Sequence, residues 1–543
     1  MKLKRIAALL IGLVGMLRTD AKPPADLQDR LDAWIKGAPG GVAVAWVDAD
    51  GAVFQQAGKF SAEDARAITP DTQFEIGSVT KVFTALLLAE SERAGKVARG
   101  DSAAKFLLPA GDAAQPALAK ITLLSLTTHA AGLPRLPANI GANPDGNPDP
   151  YAKYDHAALV EALRLHGPVA TVGRSVAYSN FGVAVLGEAL GAAWGTSYAE
   201  ALREQVLRPL GMTATSVGLA GVAAPAELAP GHAGNRRVPN WTFLACAPAG
   251  ALRSSTRDMA RLLTACLAGE VGPLAAAIRA TTVRQRANEE AGGAIGLGWM
   301  LTEDAERPVV WHNGATAGSR AFFGFSPKTG AGVVILANVS KNVVAPGFAL
   351  LGAKPAEPVN PTVDKAGEFV GRYPLAPTFA IDITEAQGRL FLQATGQPRF
   401  ALRPVEAERF AVGGVAAEIS FERGADGKVT ALTLHQNGRD QRGLRGELPP
   451  AAKEIALPAE TLAEYVGEYA ASPQFVLTVR ERAGGLTLQA TGQGANPLFA
   501  SARDEFFLKV VDARISFKRD AAGKVDGLVL HQGGRDLPAK RKP

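Results

Sequence analysis

Three landmarks in the last third of the chain recur at one fixed spacing. Gly371-Arg372-Tyr373 returns as Gly467-Glu468-Tyr469, Leu392 to Gln397 as Leu488 to Gln493, and Leu434-His435-Gln436 as Leu530-His531-Gln532, each 96 residues later (467 − 371). A constant offset over three landmarks marks the tandem copying of a whole unit, so this part of the chain must fold as two equivalent bodies. Within each copy, short alternating runs such as Phe379 to Ile383 and Phe475 to Val479 are separated by glycine turns. That pattern predicts two all-β modules, small barrels or sandwiches, over residues 362–447 and 458–543. Proline-rich stretches, Lys354 to Pro361 and Leu448 to Ala452, bracket the first copy as linkers. The modules could serve as substrate gates, homo-oligomer contacts or cell-wall tethers, or as structure alone. His435 and His531 hold equivalent positions, which repetition by itself explains.

A chain of 543 residues is too long for one core, and residues 25–353 are left for a separate domain. Val42 to Val47, Asp48-Ala49-Asp50-Gly51 and Ala52 to Phe54 read as a β-hairpin with an Asp-Gly turn. Helical periodicity follows at Thr122 to Ala130, Ala157 to Leu165, Phe181 to Trp194, Tyr198 to Leu207 and Ser255 to Leu267, the last opened by a capping box of Ser255 and Asp258. Strands return at Val309 to Trp311, Arg320 to Phe325 and Ala331 to Ala337. A sheet built from both ends of a segment, with helices between, predicts an α/β (α+β) domain with a helical subdomain.

Ser78-Val79-Thr80-Lys81 opens the apolar run Val82 to Ala89. Serine and lysine three apart on a helix project from one face, and a desolvated lysine can take the proton of an attacking hydroxyl. At a helix start the serine N–H also lies where an oxyanion is stabilised. Ser102-Ala103-Ala104-Lys105 has the same spacing but follows Gly95, Gly100 and Asp101, and predicts a cap or turn. Tyr178-Ser179-Asn180 precedes the helix from Phe181 and can supply a phenolate proton shuttle with an amide for substrate or lysine. His312-Asn313-Gly314 ends a strand, and Gly314 on an edge would let a substrate backbone lie alongside. The N–H of Ala315, with that of Ser78, would then form an oxyanion hole. Lys328-Thr329-Gly330 follows Ser326-Pro327 and predicts a hairpin turn away from the cleft.

Other classes of function find little support. There is no Gly-x-Ser-x-Gly, and the histidines lack metal-ligand spacing, so neither a metal nor an organic cofactor is expected. A net charge of +6 without a basic block argues against nucleic acid. Lys2, Lys4 and Arg5 before the apolar run Ile6 to Leu17 predict a secretory signal over residues 1–21, hence a periplasmic or secreted protein without lasting membrane insertion, with an uncleaved anchor as the alternative. Cys246 and Cys266 are expected as two buried thiols.

Ser-x-x-Lys, Tyr-x-Asn and His-x-Gly in that order resemble the family of class C β-lactamases, DD-peptidases and their serine esterase and D-aminopeptidase relatives. Leu123 to Pro134, Leu210-Gly211-Met212 and Gly296-Leu297-Gly298-Trp299 are similar to neighbouring family segments, and the likeness spans approximately residues 25 to 350. The repeats resemble, more weakly, lipocalin-like modules appended to some members. The resemblance implies Ser78 as the acylated nucleophile, Lys81 as its base and Tyr178 as proton relay, acting on a small-molecule or peptide substrate. His312 departs from the lysine of true β-lactamases, weakening a fixed attraction for a substrate carboxylate unless Arg320 restores it. The acyl donor is thus a β-lactam, a D-amino-acid peptide or a small ester. A penicillin-binding sensor that acylates and stalls is the alternative.

Overall fold

The computed structural model describes residues 22–542 except 113, 141–148, 167–171, 289, 357–360, 377–378, 414–416, 437–438, 447–453, 473–474, 483, 492–494, 509–512 and 533–534. The expected signal over 1–21 and the linker Leu448 to Ala452 therefore lie outside the described residues. Two compact units divide the chain, Met1–Val359 and Asn360–Pro543.

The first unit is built on an eight-stranded antiparallel sheet. Its strands are β1 (Gly41–Asp48), β2 (Gly51–Gly58), β3 (Arg286–Ala287), β4 (Ala294–Ile295), β5 (Met300–Leu301), β6 (Val310–Ala315), β7 (Arg320–Ser326) and β8 (Ala331–Ala337), in the order β2-β1-β8-β7-β6-β5-β4-β3. The run Val42 to Val47 is continuously apolar because both faces of β1 are buried. Val42, Val44 and Trp46 pack with α1 (Leu27–Ile35), while Ala43, Ala45 and Val47 face the larger core with α2 (Thr80–Arg93), α3 (Asn180–Trp194) and α4 (Thr256–Leu267). α5 (Val344–Leu350) sets Phe348 beside α1 in the smaller core. Asp48 pairs with Gly51, so Ala49-Asp50 forms the two-residue turn and the glycine stands at its exit.

Two local expectations are corrected. Ser255 Oγ does accept from Asp258 N at 3.2 Å, but the Asp258 carboxylate accepts from Ala214 N and Thr215 Oγ1, so the box is half made. The segment Tyr198 to Leu207 begins as an α-helix (Tyr198–Leu202) and finishes as a π-helical turn (Arg203–Leu207).

In the second unit the first repeat forms eight antiparallel strands, β9 (Gly371–Ala376), β10 (Phe379–Ala386), β11 (Arg389–Ala394), β12 (Arg399–Glu406), β13 (Arg409–Val412), β14 (Ala417–Arg423), β15 (Val429–Gln436) and β16 (Arg439–Leu444), each bonded to the next. The N–H of Gly446 donates to Arg372 O at 2.9 Å, drawing the last strand to the first. The second repeat, β17 (Gly467–Ser472), β18 (Phe475–Arg482), β19 (Gly485–Ala490), β20 (Asn496–Ala502), β21 (Glu505–Leu508), β22 (Ala513–Arg519), β23 (Val525–Gln532) and β24 (Arg535–Arg541), closes as a barrel through Tyr469 opposite Arg541. Equivalent residues fill both interiors: Tyr373 and Tyr469, Ile381 and Leu477, Leu392 and Leu488, Phe421 and Phe517. Period-two inward packing along consecutive hairpins gives up-and-down barrels rather than sandwiches.

Candidate active site

Ser78 lies in a single 3₁₀ turn (Gly77–Val79) that runs straight into α2, a helix buried on every side from Thr80 to Ser91. Its burial rests on the apolar run Val82 to Ala89, and the hydroxyls of Thr84 and Ser91 are satisfied by Pro248 O and Leu87 O. The helix also carries Lys81 into the interior at 1 % exposure. Lys81 Nζ is 3.0 Å from Ser78 Oγ and donates to Ala249 O at 2.6 Å. Desolvation, then the nearby Arg135 charge, holds its proton affinity well below that of an ordinary lysine. The lowered affinity brings the neutral amine, whose lone pair can take the Ser78 proton, within easier reach.

Tyr178 lines the cleft beside Ser78, and its ring centroid is 4.9 Å from Lys81 Nζ. Burial raises its hydroxyl far above the usual phenol range. The expected phenolate is therefore corrected to a neutral phenol, which can donate a proton but is no resting base. Three consecutive amides fix this residue. His129 O accepts from Ala177 N at 2.8 Å, Glu290 Oε2 from Tyr178 N at 3.2 Å, and His129 Nδ1 from Ser179 N at 3.2 Å. His129 manages both contacts from a left-handed backbone, φ 53°, and its ring meets that of Tyr178 tilted by 37°, 4.4 Å between centroids. Such strain persists where surroundings over-determine it, typically beside functional groups. Burial above all holds the proton affinity of the His129 ring well below that of an ordinary histidine, and the neighbouring Arg135 guanidinium opposes a further positive charge there.

Two glycines let the Ser78 turn and β6 approach closely. A Cβ on Gly314 would stand 1.8 Å from Ile76 O and 3.0 Å from Ser78 N, and one on Gly77, at φ +51°, would stand 2.7 Å from Ala315 N. Backbone thus meets backbone, the Ile76 to Ser78 turn lying against Gly314 and Ala315. This corrects the role expected for Gly314, which admits the nucleophile turn and not the substrate. β5 pairs with β6 only at Val310 and Trp311, so from His312 onward that side of the strand is open. Glu75, buried in the strand leading to Ser78, accepts from Trp241 N at 2.5 Å and Thr316 Oγ1 at 2.7 Å, tying the nucleophile strand to the turn after β6.

The cleft, about 440 Å³, is lined by Ser78, Tyr178, Asn180 and Ala315 with Arg135, Tyr151, Trp241, Asn288, Glu290, Met300, Trp311 and Asn313 among others. The buried carboxamide oxygen of Asn180 has no partner among the described residues. His312 and Arg320 are both corrected as cleft-facing residues, while the neutrality expected of His312 holds. His312 is 2 % exposed and turns from the cleft toward Tyr178, at 6.2 Å between rings. Strand alternation explains this, since Trp311, Asn313 and Ala315 take the cleft face. Its Nδ1 donates to Asn313 O at 2.7 Å, and burial lowers its pKa to about 3, so it holds no charge for a carboxylate. Arg320 does not supply it either, because its Nη1 donates to Thr316 O and Ser319 O, each at 2.8 Å. The cation on the cleft wall is Arg135, 5.2 Å above the Tyr178 ring and without a carboxylate within 4 Å among the described residues.

Ser102 behaves as its context predicts: Oγ donates to Leu118 O and accepts from Ala104 N, while Lys105 pairs with Asp101. Lys328 sits in the β7–β8 turn, donating to Ala305 O. Cys246 and Cys266 are free and buried.

This chain belongs to the beta-lactamase family, whose model matches residues 27–350; a model described as a domain of unknown function, DUF3471, matches 355–446 and 451–541. Curated relatives include Penicillin-binding protein 4 of Amycolatopsis lactamdurans, 25 % identical over 50 % of this chain and 74 % of its own length. D-alanyl-D-alanine-carboxypeptidase/endopeptidase AmpH of Escherichia coli K12 is 25 % identical over 59 % of this chain and 85 % of its own. Among solved structures, SurE superposes with a TM-score of 0.55 at 23 % identity, covering 77 % of this chain and 99 % of its own, and a class C beta lactamase of Rhodobacter sphaeroides with 0.50 at 23 %, covering 59 % and 95 %. These likenesses establish the fold of a family of serine hydrolases.

Proposed function

We propose that the first unit is an exported serine hydrolase that forms an acyl-enzyme at Ser78 from donors carrying a free carboxylate. The observation that carries the reading is a serine hydroxyl 3.0 Å from a desolvated amine, in a cleft whose cation is Arg135. Lys81 takes the Ser78 proton as Oγ attacks the carbonyl carbon. The N–H groups of Ser78 and Ala315 receive the negative charge, each such donor being worth about 10² to 10³ in rate. Tyr178, protonated and beside Ser78, passes its proton to the departing amine or alcohol and recovers one from Lys81. Water then repeats the sequence in reverse on the ester.

The guanidinium of Arg135 fits a carboxylate as a planar fork. Peptides ending in D-alanine and penicillins both present one, in keeping with the names of AmpH and of the penicillin-binding relative. Export rests on the basic and apolar start of the chain. The test is a panel of peptides ending in D-alanine carboxylate or carboxamide, nitrocefin and p-nitrophenyl acetate. Arg135→Ala should raise KM for the carboxylate donors at least tenfold and spare the neutral ester. Equal loss on all donors would refute the recognition role. Fluorescent penicillin with a chase separates turnover, where label decays, from a stalled sensor, where it persists.

A further inference from the structure

Each β module carries a serine, a histidine and an aspartate on three neighbouring strands. In the first, Ser420 Oγ is 2.8 Å from His435 Nε2, and His435 Nδ1 is 2.7 Å from Asp440 Oδ1. In the second, Ser516 Oγ is 2.9 Å from His531 Nε2, and His531 Nδ1 is 2.6 Å from Asp536 Oδ1. The ladder sets this up, because His435 stands opposite both Glu418 on β14 and Asp440 on β16, placing it beside Ser420 on the barrel exterior. An aspartate carboxylate only accepts, so Nδ1 bears the proton and Nε2 turns its lone pair to the serine. That is the order of nucleophile, base and orienting group that activates a hydroxyl.

The copies differ at the residue opposite the serine. Arg409 faces Ser420 across β13 and β14, whereas Glu505 faces Ser516 across β21 and β22. Arg409 uses Nε on Glu418 Oε2 at 2.5 Å, leaving its terminal nitrogens for a negative charge beside Ser420. In the second module Ser516 Oγ donates to Glu505 Oε2 at 2.8 Å, which diverts the serine proton from His531, and the carboxylate would repel an oxyanion. Ser516 is also 8 % exposed, while Ser420 is partly open.

We propose that Ser420, His435 and Asp440 form a second acylation site, specific for activated aryl esters and phosphonyl groups, and that its copy around Ser516 has lost the function. Ser420 Oγ forms a bond to the carbonyl carbon as its proton moves to His435 Nε2. The carbon–oxygen bond to the aryl group then breaks, the departing oxygen takes that proton, and the acyl-serine is later hydrolysed by water deprotonated at the same nitrogen. With the site on a barrel exterior, small activated donors are the class it takes.

The experiment uses the full-length Ser78→Ala protein and a fluorophosphonate probe, followed by tryptic mapping. Peptide 410–423 contains Ser420 as its one hydroxyl residue and peptide 515–518 contains Ser516, so the two are read separately. Label is expected on 410–423, falling at least tenfold in His435→Ala and in Asp440→Asn, and at least tenfold weaker on 515–518. Asp440 is 70 % exposed, so its variant tests the site even if His435→Ala fails to fold. Absence of label on 410–423 in folded protein would overturn the proposal. So would labelling indifferent to Asp440→Asn, or equal labelling of both peptides.

Discussion

Gly314→Ala probes the oxyanion hole with a single methyl group. Its Cβ would stand 1.8 Å from Ile76 O, whereas real Cβ contacts stay beyond 3.0 Å, so β6 and the Ser78 turn must part by 1.2 Å (3.0 − 1.8). Both partners are backbone, and no side chain can rotate away. The displacement separates the N–H of Ala315 from that of Ser78. A misplacement of about 1 Å costs roughly 10²-fold, and loss of one donor about 10² to 10³. These describe one event, so the expected fall in acylation rate is about 10² to 10³, or roughly 3 to 4 kcal/mol in the barrier. Overpacking should also cost about 1–3 kcal/mol of stability. Pre-steady-state acylation by a chromogenic ester gives the rate, and thermal unfolding followed by circular dichroism gives the stability. Acylation within threefold of the parent, at an unchanged melting temperature, would refute the placement of the hole.

Other perturbations test the remaining parts. Lys81→Met should abolish acylation yet stabilise the fold at pH 7: the folded lysine pKa is depressed, so the unfolded chain binds the extra proton and native stability rises with pH, by up to about 1.4 kcal/mol per unit, until the ordinary lysine range near 10.5. The advantage of Met should therefore shrink in melts repeated toward pH 10, and a constant advantage would contradict a neutral Lys81. The acylation rate should rise with pH as Lys81 deprotonates, without a separate step near 6.5, because burial holds His312 at about 3. A limb near 6.5 that vanishes in His312→Gln would show a charged ring instead. His129→Ala should lower kcat by about 10-fold or more while leaving KM for carboxylate donors within threefold, since it positions Tyr178 without touching the cleft.

That Ser78 and Lys81 share one helix face, and that the last third is a tandem repeat, were legible because each rests on local spacing. A period of three on a helix, or an offset of 96 between copies, survives any tertiary arrangement. The strands around Trp311, Phe325 and Ala337 were legible for the same reason. What escaped depends on contacts distant in sequence. Arg135 and Glu290 reach Tyr178 only because a loop after the Leu123 to Pro134 segment and a turn between β3 and β4 converge on it. The segment Leu123 to Pro134 was noticed, but nothing local announced that His129 would bind the backbone on both sides of Tyr178. Arg320 is the arginine that follows the His312 strand in sequence, but its side chain satisfies the turn between β6 and β7. The triads of the modules were hidden by the repeat itself, whose regularity accounted for the histidines before their strand partners were known.

The central claim is a covalent bond at Ser78. Rapid acid quench of the protein with a penicillin, within the first turnover, followed by tryptic mapping and fragmentation, tests it directly. The account predicts one adduct on peptide 67–81, located at Ser78, absent from Ser78→Ala and unchanged in Ser102→Ala. An adduct that persists in Ser78→Ala, or that disappears in Ser102→Ala, would contradict it.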